Sequence, residues 1–250
     1  MRLGILGGGR AAWAYGSAWI RVGWPLAGVW LRPESRSQLP ELLDTPRSTI
    51  EELAASSELI LVAVSDRAVP EVLAQIPDTE ALLFHASGAL PSPPDGFSLH
   101  PLKSLPPVGE RSDLENTLLV FEGKHRKTAR LLAAAIGARF AEVTAAQKPL
   151  YHAAAVFGSN YVAAMLDIAE SLINRAGVED ARGDLAALAR SAITNWSDYS
   201  DSRRFTGPAI RGDRETIGGH IQAIGDDAQV TAIYKLLAEW IAASNVATPK

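Results

Sequence analysis

The feature that most constrains this chain lies in its first dozen residues, where a short apolar run, Arg2–Leu6, leads straight into Gly7-Gly8-Gly9-Arg10-Ala11-Ala12. Gly7, Gly9 and Ala12 match the spacing G-x-G-x-x-G/A. In a strand–turn–helix setting each position has a physical duty. Gly7 permits the tight turn, Gly9 lets backbone approach a pyrophosphate, and Ala12 keeps helix and strand close. A helix opening at Arg10 and Ala11 aims unpaired N–H groups at the phosphates. Such a turn needs a parallel sheet behind it.

The first 143 residues supply the pattern of one. Strands are expected at Arg2–Leu6, Ala27–Leu31, Leu59–Val64, Ala81–His85, Phe97–Leu99 and Thr117–Glu122, with a short one near Arg139–Val143. Helices are expected between them, near Ala11–Arg21, Arg36–Leu43, Val69–Gln75 and Lys124–Ile136. Alternation of this kind builds βαβ units and a mainly parallel sheet. The expected class is therefore α/β, with an N-terminal Rossmann doubly wound sheet over residues 1–143 followed by an all-helical domain over 144–250.

After Thr144 the strand-like runs vanish. One helical pattern runs from Ala145 to Ala176 and is stopped by Gly177, and further helices are expected at Ala181–Ser200, Thr216–Ile224 and Ala228–Ser244. The first is apolar almost all round, as expected of a helix covered on every side, and a homodimer through this domain is the preferred cause.

Composition narrows the partners. A net charge of -4 gives no basic field for nucleic acid. With no cysteine there is no disulfide, thiolate nucleophile or cysteine-ligated zinc, and no metal is expected. Leu3 to Leu6 falls far short of a signal-peptide core of roughly 7 to 15 residues. The longest apolar stretch, Ala153 to Leu166, falls below the roughly 18 residues of a membrane span. A cytoplasmic protein with a small-molecule partner and no membrane is expected.

Where a site for NAD usually places an acid at the end of the second strand, this chain has Leu31-Arg32-Pro33-Glu34-Ser35-Arg36. Arg32, Ser35 and Arg36 form the kind of cluster that accommodates the 2′-phosphate of NADP. The alternative is a solvated basic loop with Glu34 as the ribose acid. Val64, Ser65 and Asp66 end the third strand at the carboxyl edge of the sheet, where ligands bind in open α/β folds. Ser65 and Asp66 can equally cap the helix that follows.

Groups suited to a reaction follow the next two strands: His85 and Ser87 in His85-Ala86-Ser87-Gly88, then His100 and Lys103 in His100-Pro101-Leu102-Lys103. Ser87 is read with the cofactor, His85 and Lys103 with the substrate, and His100 as an acid or base. Each histidine also has a structural reading, as a hydrogen-bonder. Lys148, His152 and Asn160, four and eight residues apart, would share a helix face, with Lys148 polarising a substrate oxygen or nitrogen. Otherwise Lys148 is solvated and Asn160 bonds a neighbouring helix. Arg211, in Thr206-Gly207-Pro208-Ala209-Ile210-Arg211-Gly212-Asp213, could hold a carboxylate with Asp213 orienting it, or form a structural pair with that aspartate.

Taken in order, Gly7-Gly8-Gly9-Arg10, His85-Ala86-Ser87-Gly88, His100-Pro101-Leu102, Tyr151-His152-Ala153-Ala154-Ala155 with Ser159-Asn160, and Thr206-Gly207-Pro208 with Arg211-Gly212-Asp213 resemble the Rossmann-like proteins with a DUF2520 C-terminal domain. That family is similar in fold to the 6-phosphogluconate dehydrogenase-like superfamily, which includes pyrroline-5-carboxylate reductase, F420-dependent NADP oxidoreductase and ketopantoate reductase. The resemblance implies an NADP-linked reductase with a dimerising helical domain. The chain departs from two branches. Lys148 is followed four residues later by His152 where β-hydroxyacid dehydrogenases have Asn, and Ser159-Asn160-Tyr161 replaces the Ser-Gly-Pro of pyrroline-5-carboxylate reductases.

The expected function is an NADP(H)-dependent oxidoreductase acting on a small carbonyl, 2-oxo-acid or imine substrate, with ketopantoate reductase-like activity as its most concrete form. His100 or His152 is the expected proton donor. Two alternatives stand beside it: a non-catalytic NADP(H)-binding sensor or scaffold, and a reductase that also uses a deazaflavin such as F420, the latter on fold analogy alone.

Overall fold

The computed structural model describes residues 1–244, which form two compact units, Met1–Ser159 and the residues from Asn160 on. The last six residues of the expected 144–250 range lie outside the described residues. The first unit runs β1 (Leu3–Leu6), α1 (Arg10–Arg21), β2 (Leu26–Trp30), α2 (Leu39–Leu42), α3 (Ile50–Ser56), β3 (Leu59–Val62), α4 (Val69–Gln75), β4 (Leu82–His85), β5 (Phe97–Pro101), β6 (Leu118–Gly123), α5 (Arg126–Ala135), β7 (Arg139–Glu142) and α6 (Lys148–Phe157). The second holds α7 (Asn160–Arg175), α8 (Arg182–Asp198), α9 (Pro208–Arg211), α10 (Arg214–Ile224) and α11 (Ala228–Ser244).

Among the described residues seven strands form one sheet in the order β2-β1-β3-β4-β5-β6-β7. All pairs are parallel except β5 with β6. The chain leaves β1 for one side to make β2, then returns past β1 to make β3. The strand order therefore reverses between β1 and β3, which is where open sheets leave a crevice. Alternation along the central strands sends Leu3, Ile5, Leu59 and Leu61 to one face and Leu6, Ile60 and Val62 to the other, and each face has its own apolar core. Strands covered on both faces read as unbroken apolar runs, as these do.

On the α1 face the core is aromatic. Phe84 and Phe97 stack at 4.9 Å, and Tyr15 and Trp19 pack edge-on against Phe84. Tyr15 donates a buried 2.5 Å hydrogen bond to the Leu99 carbonyl, which ties α1 to β5. Burial pushes the Tyr15 hydroxyl well above its ordinary range, so it remains a donor.

Every expected strand is present, and the differences among the helices have local causes. The helix expected over Arg36–Leu43 shrinks to α2, because Pro40 has no N–H to bond the carbonyl four residues back. The single helix expected from Ala145 to Ala176 is two. Pro149 fixes the start of α6, and the chain turns at Gly158 and Ser159 before α7 begins. Glycine costs a helix about 1 kcal/mol relative to alanine, and the Ser159 hydroxyl bonds the Ala155 carbonyl instead of continuing the face.

Helix α3 is not among the expected helices, although its signal is in the sequence. Thr49 Oγ1 accepts from the Glu52 N–H at 3.1 Å while Glu52 Oε2 accepts from the Thr49 N–H at 2.8 Å, a reciprocal capping box. Thr49→Ala removes the hydroxyl half of this pair. Urea unfolding should register a loss of about 1 kcal/mol.

Candidate functional site

The crevice at the strand-order reversal is a cleft of about 250 Å³ lined by Gly7, Gly8, Gly9, Trp30, Leu31, Arg32, Ser35, Ala63, Val64 and Ser65. Gly7 has φ +121, and a Cβ there would stand 2.4 Å from the Ala63 carbonyl oxygen, so only glycine lets the turn cross β3 this closely. Ser37 Oγ donates to the Gly8 carbonyl at 2.8 Å and buttresses the turn from outside. Gly9 differs from both. Its φ of -92 is open to any residue, and a Cβ would meet nothing nearer than 4.0 Å. No internal packing explains a glycine at position 9. Helix α1 begins there, next to the cleft-lining Gly9, with no side-chain cap and no acid in its first turn, so no side chain compensates its leading N–H groups. These residues fit the pyrophosphate of a dinucleotide.

Of the expected selectivity cluster, Arg32 and Ser35 line the cleft, while the exposed Arg36 and Glu34 do not. Arg32 lies 3.9 Å from Glu71, a loose exposed pair that leaves the guanidinium available. Arg47, unread in the sequence, reaches the Arg32 carbonyl at 3.3 Å and adds a second cation beside it. Arg10 donates to the Leu105 carbonyl at 3.3 Å and Ala11 packs against the core, and neither lines the cleft. Asp66 opens a short 3-10 helix, and neither it nor Ser65 makes a side-chain cap; α4 itself is capped by Ala68 without a side-chain bond. The capping alternative for Ser65 and Asp66 therefore does not describe this structure.

The segments after β4 and β5 differ in character. His85 is fully buried, its Nε2 donating to the Pro91 carbonyl at 2.8 Å and its Nδ1 accepting from the Ser87 N–H at 3.2 Å. Ser87 Oγ accepts from the N–H groups of Ala89 and Leu90. Both residues shape the loop, and burial pushes His85 below its ordinary range. Lys103 is exposed and donates to the Asp113 carbonyl.

Helix α6 brings together what the sequence kept apart. On β5, Ser98 and His100 point to one face; on α6, Lys148 and Tyr151 stand one turn apart. Lys148 Nζ donates to Ser98 Oγ at 2.5 Å and Tyr151 Oη lies 2.5 Å from His100 Nδ1, so two side-chain rungs pin helix to strand. Lys148, 2% exposed, also pairs with Glu122 Oε2 of β6 at 3.2 Å. The Ser92 N–H and hydroxyl bond the same carboxylate. Burial pushes Lys148 below its ordinary range, and Glu122 pulls it back. Burial also pushes Glu122 upward, but the Ser92 N–H and Lys148 outweigh that and hold it low, so the pair stays ionised.

His152, half-buried, lies edge-on to His100 with ring centroids 6.2 Å apart. Gly88 packs between them: a Cβ there would stand 2.8 Å from His152 and 3.0 Å from His100. Burial, with His152 and Lys148 alongside, pushes His100 down to about 4, while Asp66 pulls it upward. His100 is thus neutral near pH 7.

Two expected residues lie in the second unit. Asn160 begins α7, so it does not continue the helix of Lys148 and His152, and the shared face expected of the three is limited to α6. Arg211 is exposed at the end of α9, and Asp213 caps α10, accepting from Thr216 N–H at 3.0 Å and Thr216 Oγ1 at 2.7 Å, with Arg211 adding a lesser electrostatic pull on the carboxylate. Among the described residues no group of three acids or histidines could hold a metal ion, and no helix is long and apolar enough to cross a membrane.

Residues 1–92 match the Rossmann-like domain and residues 118–241 match the domain of unknown function DUF2520. The second match starts at β6, so the last two strands and α6 fall within it. No curated protein matches the chain. Among solved structures, a candidate NADP oxidoreductase of Bacteroides fragilis is 23% identical over 97% of this chain and 98% of its own, with a TM-score of 0.82. A protein of Thermotoga maritima is 20% identical over 98% of both chains, with a TM-score of 0.75. The reductive aminase of Aspergillus terreus, in complex with NADPH and ethyl levulinate, is 18% identical over 96% of this chain and 92% of its own, with a TM-score of 0.68. These likenesses establish the fold.

Removing Lys148 would strand the Glu122 carboxylate in a buried site. Lys148→Ala should lower unfolding stability by about 3–5 kcal/mol, and the double variant Lys148→Met with Glu122→Gln should recover part of the loss. Denaturant titration of the three proteins checks both.

Proposed function

The chain is a Rossmann-like protein with a C-terminal DUF2520 domain, and on that premise we propose that it is an NADP-dependent oxidoreductase reducing a small carbonyl, 2-oxo acid or imine. Ketopantoate reductase-like activity is the most concrete form. The observation that carries this reading is the cleft at Gly7–Gly9, with Arg32 and Ser35 in its wall and a glycine at position 9 that the chain's own packing does not need. The Bacteroides fragilis and Aspergillus terreus neighbours, named for NADP or bound to NADPH, support it.

The backbone of Gly7, Gly8 and Gly9 and the first turn of α1, through Arg10 and Ala11, would hold the pyrophosphate. Arg32 with Ser35 would hold the 2′-phosphate, with Arg36 and Arg47 adding charge nearby. Val64, Ser65 and Asp66 would border the nicotinamide half at the strand edge. When bound, the dinucleotide supplies a hydride to the substrate carbon, while the substrate oxygen or nitrogen takes up a proton. His152, half-exposed beside His100, is the better candidate proton donor, because burial holds His100 neutral at working pH. Lys148 acts as a positioning residue through Ser98 and Glu122. His85 and Ser87 hold the loop that carries Gly88 against both histidines. Lys103 and Arg211 are left as candidates for binding an acidic substrate group, and Asn160 as a candidate for the catalytic step.

A homodimer belongs to the same reading. Helices α7, α8 and α11 have no buried residue, and Leu188, Trp196, Leu236 and Trp240 are each about two-thirds exposed or more. Apolar surface on that scale calls for a partner, and a second copy is the simplest one. A chain without cysteine suits a reducing cytoplasm.

At high protein concentration, NADPH oxidation should depend on added ketopantoate or another 2-oxo acid. His152→Ala should lower kcat about 100-fold with NADPH binding intact. Binding without turnover of any carbonyl or imine would instead favour the sensor reading.

A further inference from the structure

His100 and Tyr151 share one hydrogen bond, 2.5 Å between Nδ1 and Oη, and which of them donates decides what His100 can offer a ligand. Burial raises the Tyr151 hydroxyl to about 12 and His100 is held near 4, so across the neutral range each group carries a single proton. If Nδ1–H donated to the phenol, the tyrosine's own proton would need a second acceptor. Among the described residues the Tyr151 hydroxyl has no hydrogen-bond partner besides His100. If the phenol donates, its proton is satisfied by the Nδ1 lone pair and the imidazole proton sits on Nε2. Among the described residues each arrangement leaves one proton without a protein partner, but the second pairs the more acidic donor, the phenol, with the more basic acceptor, the imidazole nitrogen, and leaves the Nε2–H for a ligand to accept.

Both rings are held where they are. The imidazole lies edge-on to Tyr151 and to His152, at 5.6 and 6.2 Å, with the Gly88 backbone against it and Lys148 fixing the same helix to the same strand two residues away. His100 stands near the carboxyl end of β5, which runs parallel to β4, on the edge of the sheet that carries the Gly7–Gly9 turn. The charged and titratable groups that act on it are His152 and Lys148 from α6 and Asp66 from the turn after β3; Lys148 is itself neutralised by Glu122.

We propose that Tyr151 is a positioning residue that fixes His100 as a neutral Nε2–H donor, and that the site is thereby complementary to a carbonyl oxygen rather than to a protonated imine. This rests on the reductase reading and narrows its substrate class. A carbonyl oxygen has lone pairs to accept an N–H bond, and so does the alkoxide-like oxygen that forms when its carbon is reduced. An iminium nitrogen has none. An N–H donor aimed at it would be left unpaired in a partly dry site, at a cost in discrimination that sites built on hydrogen bonds use to reject the wrong substrate.

The deciding measurement is 15N NMR of the histidine-labelled chain without cofactor from pH 5 to 8, with His100→Gln assigning the resonance. The expected result is one ring nitrogen of His100 protonated, Nε2, and no second proton taken up above pH 5. In Tyr151→Phe the two tautomers should mix. Protonation at Nδ1 in the wild-type chain, or titration between pH 6 and 7, would overturn the proposal. Kinetics then test the substrate class: Tyr151→Phe should lower kcat for a 2-oxo acid at least tenfold with little change in NADPH affinity, and wild-type kcat/KM should favour the ketone over a cyclic iminium. Preference for the iminium overturns the assignment. Because the NMR result needs no cofactor, a chain that binds no dinucleotide defeats the reductase reading without altering what the tautomer shows, and a carbonyl reductase with His100 protonated at Nδ1 keeps that reading and defeats this one.

Discussion

The crossing of the Gly7 turn over the Ala63 carbonyl is the contact on which the rest of the candidate site depends. At φ +121 and with no Cβ to hold it off, the backbone leaving β1 passes close against the end of β3. That closeness directs α1 so that its uncapped first turn begins beside the crevice. A side chain at position 7 would have to displace backbone, and the crevice would change shape with it. Gly9, two residues on, has the opposite character: the protein packs nothing against it, and its missing Cβ is space turned toward the cleft.

From that turn the sheet carries position across the molecule. The β1–β3–β4–β5 series is parallel, so the ends of successive strands deliver Gly7–Gly9, Val64–Asp66 and His100 to one edge. The aromatic core beneath, with Tyr15 bonded to the Leu99 carbonyl next to His100, holds β5 against α1. Helix α6 then closes on β5 and β6 through a buried ion pair. Such a pair adds little net stability over an apolar contact of the same size, but it fixes geometry, since the charges must meet in one arrangement or none. Here the register it fixes places Tyr151 and His152 on His100.

The fold was legible because its signals are local. Apolar runs bounded by turn residues gave all seven strands, and the glycine spacing gave the site's first turn. What escaped was either a signal left unread, as in the Thr49–Glu52 capping box, or a proline acting on carbonyls behind it, as at Pro40 and Pro149. The site was legible in residue types more than in roles. Lys148, His100 and His152 are legible as candidates by residue type, whereas Glu122 and Ser98 carry no such signal and Tyr151 enters only within a family motif. Their partners stand 26, 50 and 51 residues away in sequence, and no periodicity within one element reports such a meeting. His85 stood out for its type, but its ring proves to be spent on its own loop.

The central claim is that the cleft at Gly7–Gly9 reads a phosphorylated dinucleotide. Calorimetric titration of the cofactor-stripped chain with NADPH and, in parallel, NADH tests it most directly. The account predicts tight binding of NADPH with NADH at least tenfold weaker, a difference of about 1.4 kcal/mol assigned to Arg32 and its neighbours. Equal affinity would contradict the role of Arg32, and no binding of either would contradict the reading of the cleft itself.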